Sequence, residues 1–352
     1  MEIIKLYEKR PVVIAGPCSA ESEDQVLDIA KQLKEQDIDL FRAGIWKPRT
    51  RPNSFEGVGS IGLKWLRTVK EETGLKTTTE VAKKAHVEEA LYHGIDTLWI
   101  GARTTVNPFS VQEIADALQG VNIPVMIKNP INPDLGLWIG AIERMMKAGI
   151  TEIAAIHRGF ASYGEKYYRN KPMWQIPIEL KRQFPDLTII CDNSHICGRR
   201  DILGDVAQQA MDLNYDGIMT EVHNNPDKAW SDAAQQITPA VFKELVAGLN
   251  LRNEDAGQIL NKAHLDSVRA EIDVLDSQLL KILEERMKLV DQIGEYKKTN
   301  DIPILQSTRW NEILDRSIKK GAKKGLSSEF VGSLFRAVHQ ESINHQQEIM
   351  NK

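Results

Sequence analysis

The sequence predicts an α/β protein: a (β/α)8 TIM barrel followed by a C-terminal all-α helical domain. Two observations carry the barrel. Eight short runs rich in β-branched residues alternate with amphipathic stretches between residues 11 and 249, the rhythm of parallel strands joined by helical crossovers. At 352 residues the chain also exceeds one barrel of roughly 250 residues by enough for a second unit. A third observation gives that unit its class: from about residue 263, apolar residues recur mainly at three- and four-residue intervals.

In chain order the strand candidates are PVVIAGPCS from Pro11, DLFRAGIW from Asp39, KTTTEV from Lys76, TLWIGAR from Thr97, PVMIKNP from Pro124, EIAAIHRG from Glu152, LTIICDNSH from Leu187 and GIMTEVHN from Gly217. Helical patterns such as SEDQVLDIAKQLKEQ and LGLWIGAIERMMKAG lie between them, with Gly74, Gly94, Gly120, Gly149 and Asn214 as C-terminal signals. Eight units in series favour closure over an open doubly wound sheet. The expected organisation is a barrel over residues 1–250, a polar linker over 251–262 and a helical domain over 263–352.

Bulk properties narrow the partners. A net charge of -4 leaves no electrostatic footprint for nucleic acid or an anionic membrane. The start, MEIIKLYEKRP, has no apolar signal region, and no run approaches the roughly 18 apolar residues of a membrane span. A cytoplasmic protein acting on small molecules, with no nucleic-acid or membrane partner, is expected. Three cysteines, Cys18, Cys191 and Cys197, make no disulfide framework.

Polar residues recur at one position. Strand one ends in Cys18, two in Arg42, four in Arg103, five in Lys128, six in Arg158, seven in His195 and eight in Glu221, each after an apolar stretch. In a barrel those ends meet on one face. Cations gathered there are costly to bury unless anions neutralise them, so phosphate and carboxylate groups of a ligand are expected.

Strands one, seven and eight are neighbours in a closed barrel, which brings Cys18, His195 and Glu221 together, and Asp232 follows shortly after. A thiolate, an imidazole and two carboxylates suit a divalent metal ion such as Mn, Fe, Co or Zn better than Mg or Ca. A rival grouping of Cys191, His195 and Cys197 would make a local zinc site, although Cys191 lies in the apolar TIIC run without tight CxxC spacing. In the loop KPRTRPNSF after strand two, Lys47, Arg49 and Thr50 supply a point charge, a bidentate fork and a hydroxyl suited to phosphate.

The set GPCS from Gly16, FRAG from Phe41, KPRT from Lys47, GAR from Gly101, IK from Ile127, HRG from His157, SHICGRR from Ser194, EVH from Glu221 and SD from Ser231 resembles 3-deoxy-D-arabino-heptulosonate 7-phosphate (DAHP) synthases of the short, type I beta group. The KPRT loop, where the eight-carbon sister enzymes carry KANRS-like residues, favours the seven-carbon product. The resemblance implies condensation of phosphoenolpyruvate with erythrose 4-phosphate, a shikimate-pathway step in aromatic amino acid biosynthesis. It implies that Cys18, His195, Glu221 and Asp232 hold the metal. Arg103, Lys128 and Arg158 would hold phosphoenolpyruvate, with Arg42 and Lys47 lining its pocket and Lys47 transferring a proton near the aldehyde oxygen. Arg49 and Thr50 would hold the erythrose phosphate. Two departures stand out: Asn193 where Pro is common before the Ser-His pair, and His157 where Glu is frequent before Arg158, both bearing on loop geometry and water placement.

In the helical segment Leu265, Val268, Ile272, Leu275, Leu279, Ile282, Leu289, Ile293 and Tyr296 define one helix of over thirty residues, and two shorter helices follow. A helix that long needs a partner, so a homo-oligomer, at least a dimer through the helical domain, is expected. Arg286 and Lys297 are 11 residues apart, close to three whole turns, and so share one stripe, with Arg269 17 residues earlier on the same helix. With Arg309, Ser342 and Gln346 they resemble the all-helical chorismate mutase family. The resemblance implies that Arg269 of a partner chain and Arg286 bind carboxylates of chorismate, that Lys297 and Gln346 address its ether oxygen, and that Arg309 and Ser342 complete the pocket. Trp310 and Gln306 stand where Glu and Asp are frequent, which bears on recognition of the substrate hydroxyl. Fusing an early step to a downstream mutase suggests prephenate as an effector. Two other readings compete: a phosphorylated-ligand-binding barrel with a structural dimerisation tail, and a metal-dependent pyruvate aldolase.

Overall fold

The structure, a computed structural model, describes residues 3–6, 9–48, 55–252 and 262–351, and for Lys262 and Ala263 the backbone alone. All eight apolar runs form strands: β1 (Val12–Gly16), β2 (Leu40–Arg42), β3 (Thr77–Val81), β4 (Thr97–Ile100), β5 (Val125–Lys128), β6 (Ile153–His157), β7 (Thr188–Cys191) and β8 (Gly217–Glu221). They pair in sequence order, all parallel, and β8 returns to β1 to close the barrel. The closing register sets Gly16 opposite Glu221, so the ends of first and last strands are level.

Strand alternation splits the core in two. Val12, Ile14, Leu40, Trp99, Met126, Ala154, Ile156, Ile190 and Met219 fill the barrel, and Leu6 closes its lower end while its N–H bonds Thr188 Oγ1. Residues of the other parity, among them Phe41, Leu98, Ile127, Ala155 and Ile218, pack against the surrounding helices. Each of the larger side chains, from valine up, contributes about 1.5–3 kcal/mol on burial, which is why the strands read as unbroken apolar runs.

The helices that matter for the site are α1 (Glu23–Lys34), α2 (Ile61–Thr73), α3 (Lys84–Tyr92), α4 (Ala102–Thr105), α5 (Pro108–Ala117), α6 (Leu135–Lys147), α7 (Gln175–Gln183), α8 (Asn193–Cys197), α9 (Leu203–Asp212) and α10 (Pro239–Ala247). Their starts carry side-chain caps: Ser22 on α1, Asn107 on α5, Asp134 on α6 and Thr238 on α10. Gly16 is indispensable at the rim. Its φ is 145°, and a Cβ there would collide with the Arg42 carbonyl oxygen, so only glycine lets β1 deliver its end beside β2.

Residues Met1–Arg252 form one compact unit and Asn253–Lys352 a second. Most of the expected linker, residues 253–261, lies outside the described residues. The second unit holds α11 (Lys262–Thr299), α12 (Ser307–Ala322) and α13 (Ser328–Asn351). The later half of α11 packs on α13 with Gly294 against Ile349 and Gln346, and Gly321 of α12 receives Val331. Residues 264–282 of α11 are exposed throughout, although they include Leu265, Val268, Ile272, Leu275, Leu279 and Ile282.

Candidate functional site

The mouth at the C-terminal ends of the strands is floored by Trp99 of β4, buried and anchored by Nε1–H to Glu80 Oε2 at 3.1 Å. The Arg42 guanidinium lies 5.1 Å from the Trp99 ring centre and Lys128 Nζ lies 5.8 Å from it. Both cations are almost fully buried, and both have carboxylate partners: Arg42 Nη2 bonds Glu221 Oε1 at 3.1 Å, and Lys128 Nζ bonds Asp192 Oδ2 at 2.7 Å. Among the described residues Arg42 Nε and Nη1 find no hydrogen-bond partner although they are buried, so this guanidinium retains donors for an anion.

Arg158, one residue beyond β6, is buried too. Its backbone N–H bonds Asn129 Oδ1 at 2.7 Å and its Nη1 bonds Asn170 Oδ1, also at 2.7 Å. Burial lowers its pKa to about 10, with Arg169 and Arg103 lowering it further against the pull of Asp192. Lys128 and Arg158 therefore share one mouth, since Asp192 both bonds Lys128 and acts on Arg158, while Arg103 is exposed and acts on Arg158 through its charge. Arg103 sits in α4 rather than at a strand end, because the chain turns into a helix directly after Gly101, where a Cβ would strike the Glu80 carboxylate.

Across the mouth, Cys18, Glu221 and Asp232 offer donor atoms that all lie within 4.8 Å of one another. Cys18 Sγ is 3.3 Å from Asp232 Oδ2, and the Cys18 N–H bonds Gln236 Oε1 at 3.0 Å. His195 stands beside this trio with Nε2 3.8 Å from Glu221 Oε1. It lies in α8 rather than on β7; Asp192 caps that helix and accepts from the ring at Nδ1, 3.0 Å from Oδ1. That bond fixes the tautomer with a lone pair on Nε2, the form a metal ligand needs. Burial lowers the His195 pKa, while it pushes the Cys18 thiol up to about 12 with the Glu221 charge adding to it. Burial alone would raise both acids, yet His195 and Arg42 hold Glu221 low, and Arg169 and His195 hold Asp232 low. A half-buried imidazole, a buried thiol and two ionised carboxylates around one gap fit a divalent transition metal. Cys191 is buried in the packing between β7 and the helices, and Cys197 Sγ faces the Ile202 carbonyl, so the rival cluster with His195 does not assemble.

Lys47 reaches the same gap, its Nζ 2.8 Å from Cys18 Sγ. Arg49 and Thr50 lie outside the described residues. Both departures noted in the sequence turn out to be structural. His157 points outward from β6 into an aromatic layer with Trp138, Phe160 and Trp174. Its Nε2–H donates to the Pro172 carbonyl at 2.7 Å and its Nδ1 accepts from Tyr215 Oη at 3.0 Å, so it places no water in the mouth. Asn193 is buried at the start of α8, donating to the Leu203 carbonyl and accepting from Thr220 Oγ1.

Sequence reasoning missed four participants. Asp192 joins Lys128 to His195. Arg169 bonds Gln235 Oε1 at 2.6 Å and pairs with Asp232 Oδ1 at 3.1 Å, Gln235 donates to Glu221 Oε2 at 2.7 Å, and Asn170 orients Arg158. Arg169 and Asn170 sit in an irregular stretch between β6 and α7, where no periodicity flags them. Asp192 was visible next to the Ser-His pair as an acid closing an apolar run.

In the helical unit Arg286 Nη1 bonds Ser342 Oγ at 2.6 Å, and Gln346 donates to the Ser342 carbonyl while its own buried Oε1 has no partner among the described residues. Lys297 is buried, with Nζ held by the Ile304 carbonyl, and burial lowers its pKa, as it does that of Arg286. These four residues line the facing sides of α11 and α13. Arg269 and Arg309 do not join them within one chain: Arg269 is exposed 3.6 Å from Asp266, and Arg309 is exposed 3.3 Å from Glu312. Trp310 stacks on His339.

Residues 2–255 match the family model described as the DAHP synthetase I family, and residues 268–347 match that of chorismate mutase type II. Phospho-2-dehydro-3-deoxyheptonate aldolase of Thermotoga maritima is 34% identical over 235 residues, covering 66% of this chain and 67% of that protein. The 2-dehydro-3-deoxyphosphooctonate aldolase of Wolinella succinogenes is 28% identical over 260 residues, covering 67% of this chain and 96% of its own. The crystal structure of the Thermotoga enzyme, DAHP synthase, superposes with a TM-score of 0.61 at 31% identity, over 67% of each chain.

Proposed function

The chain belongs to the DAHP synthetase I family and carries a chorismate mutase type II domain after its barrel, and from that premise we propose how its residues divide the two reactions. It is a DAHP synthase, condensing phosphoenolpyruvate with erythrose 4-phosphate and water to DAHP and phosphate, fused to a mutase that rearranges chorismate to prephenate. We assign the synthase to residues 1–250, the linker to 251–262 and the mutase to 263–352, in keeping with two compact units that part between Arg252 and Asn253.

One observation carries the site reading: buried Arg42, Lys128 and Arg158 share a mouth with the Cys18, Glu221 and Asp232 cluster. A phosphate next to a carboxylate needs several fixed cations, and Arg103, Lys128 and Arg158 with Arg42 and Lys47 supply them for phosphoenolpyruvate. Arg49 and Thr50 take the erythrose phosphate. DAHP synthases are metal-dependent, and Cys18, His195, Glu221 and Asp232 are the ligands we assign, for Mn, Fe, Co or Zn. When bound, the ion supplies Lewis acidity toward the aldehyde. Lys47, beside Cys18, delivers a proton at the aldehyde oxygen. Preorganised charge does the rest, because Arg42 and Lys128 are held by carboxylates and the Trp99 face, and Arg158 by Asn170, before substrate arrives.

In the mutase, Arg286 and Arg269 of the partner subunit bind the carboxylates, Lys297 and Gln346 donate to the ether oxygen as its bond breaks, and Arg309 and Ser342 complete the pocket. No covalent step is needed; restriction of an intramolecular reaction and charge stabilisation suffice. A dimer through α11 is supported by the exposed apolar residues of its first half. Prephenate is the effector we assign to the barrel. The protein is proposed to be cytoplasmic; among the described residues no helix is long and apolar enough to cross a membrane.

The test is a paired assay on the purified protein. Phosphate release from phosphoenolpyruvate should require erythrose 4-phosphate and disappear with chelator, while chorismate turnover persists. Pyruvate consumption without phosphate release would instead favour a pyruvate aldolase. Prephenate should slow the synthase of the intact chain but not of a chain ending near residue 250, since coupling between sites is mutual.

A further inference from the structure

Resting on the mutase reading of the helical unit, we infer that His339 is a specificity-determining residue of that pocket, its imidazole edge hydrogen-bonding the ring hydroxyl of the substrate. His339, Ser342 and Gln346 follow one another at spacings of three and four along α13 and so share one stripe. Ser342 meets Arg286 at 2.6 Å, and Gln346 packs over Gly294, so this stripe faces α11 and its two cations. His339 continues it by one turn. Trp310 of α12 covers one face of the imidazole, with ring centres 3.9 Å apart and planes 17° from parallel. A stack of this kind fixes the ring plane while leaving the edge, where both nitrogens lie, open to a ligand. Neither nitrogen has a hydrogen-bond partner among the described residues.

The charge state agrees with this placement. Burial lowers the His339 pKa, and the Arg286 and Lys297 cations lower it further, so the ring is neutral near pH 7 and offers one donor and one acceptor. The substrate has three kinds of polar group: two carboxylates, an ether oxygen and a ring hydroxyl. Cations and Gln346 answer the first two. A hydroxyl both gives and accepts a hydrogen bond, and the neutral imidazole is the side chain on this stripe that matches it without competing for the carboxylates. Trp310 is then a positioning residue, acting through the histidine.

The experiment compares the unaltered enzyme with His339→Phe, which keeps the stack but loses the nitrogens, and with His339→Gln, which keeps a polar edge. Two readouts are taken: kcat/KM for chorismate, and inhibition constants of two unreactive cyclic ether dicarboxylates that differ only in the ring hydroxyl. The unaltered enzyme should prefer the hydroxylated inhibitor by roughly tenfold, as one net hydrogen bond allows. His339→Phe should abolish that preference and lower kcat/KM about tenfold, and His339→Gln should restore part of both. If His339→Phe does not fold, His339→Leu is read the same way. An unchanged preference in the variant, or equal weakening of both inhibitors, overturns the inference. Absence of chorismate turnover in the unaltered enzyme overturns the mutase reading, and this inference with it.

Discussion

Lys128 Nζ stands 2.7 Å from Asp192 Oδ2, and His195 Nδ1 lies 2.9 Å from that oxygen and 3.0 Å from Oδ1 of the same carboxylate. One buried carboxylate thus fixes both a substrate-facing cation and an imidazole whose free nitrogen faces Glu221. Asp192→Asn should leave the barrel folded but weaken both functions: affinity for Mn falls about 10- to 100-fold as the imidazole loses its orienting acceptor, and the KM for phosphoenolpyruvate rises. Asp192→Ala should be worse, costing about 3–5 kcal/mol of stability because Lys128 is left buried without a counter-charge. Metal titration of the metal-free protein and denaturant unfolding check the two effects.

Cys18→Ala removes the thiol from the Cys18, Glu221 and Asp232 cluster. Synthase activity should drop below detection while chorismate turnover stays within about twofold, since Cys18 belongs to the barrel unit alone. Loss of both activities would contradict separate sites.

Arg286→Ala gives the mirror image. It removes the partner of Ser342 and a carboxylate-binding cation together, and kcat/KM for chorismate should fall at least 100-fold, consistent with the about 3 kcal/mol or more of a lost charge-assisted contact. Phosphate release by the barrel should not change.

His157 predicts a pH dependence of stability. Its pKa is lowered to about 3, chiefly by burial, against an ordinary value of 6.5. Between those values the unfolded chain takes up a proton that the folded one refuses, so stability from this group is intact above 6.5 and declines as pH falls toward 3. From pH 7.5 to pH 5 the loss is about 2 kcal/mol. His157→Gln should be less stable at pH 7.5, through the lost bonds to Pro172 and Tyr215, but should show a shallower decline. Parallel slopes in unfolding titrations of the two proteins would contradict the assignment.

The barrel was legible because its strands are buried on both sides and therefore spell apolar runs, and because Arg42, Lys128 and Glu221 interrupt those runs where they end. Its supporting partners were harder to read. Arg169 and Asn170 reach Asp232 and Arg158 from an irregular segment in which no period marks an inward residue. His157 shows the opposite error: its neighbour Arg158 enters the mouth, yet 153, 155 and 157 share the outward parity of β6, so the histidine belongs to the helix-facing layer. In the helical unit the 11-residue spacing puts Arg286 and Lys297 on one stripe, but Arg269 lies on the exposed half of α11, where a second chain has to bring it to a pocket. Trp310 was flagged as a missing acid; its stacking on His339 depends on the packing of α12 against α13, which the pattern along either helix does not encode.

The most direct measurement is binding of phosphoenolpyruvate by calorimetry to the metal-loaded protein and to Arg42→Ala, Lys128→Ala and Arg158→Ala. If these cations meet in one mouth, each variant weakens binding at least about tenfold, the loss of one charge-assisted contact, and each suppresses phosphate release. Unchanged affinity in all three, with the barrel intact by circular dichroism, would show that the doubly anionic substrate is held elsewhere.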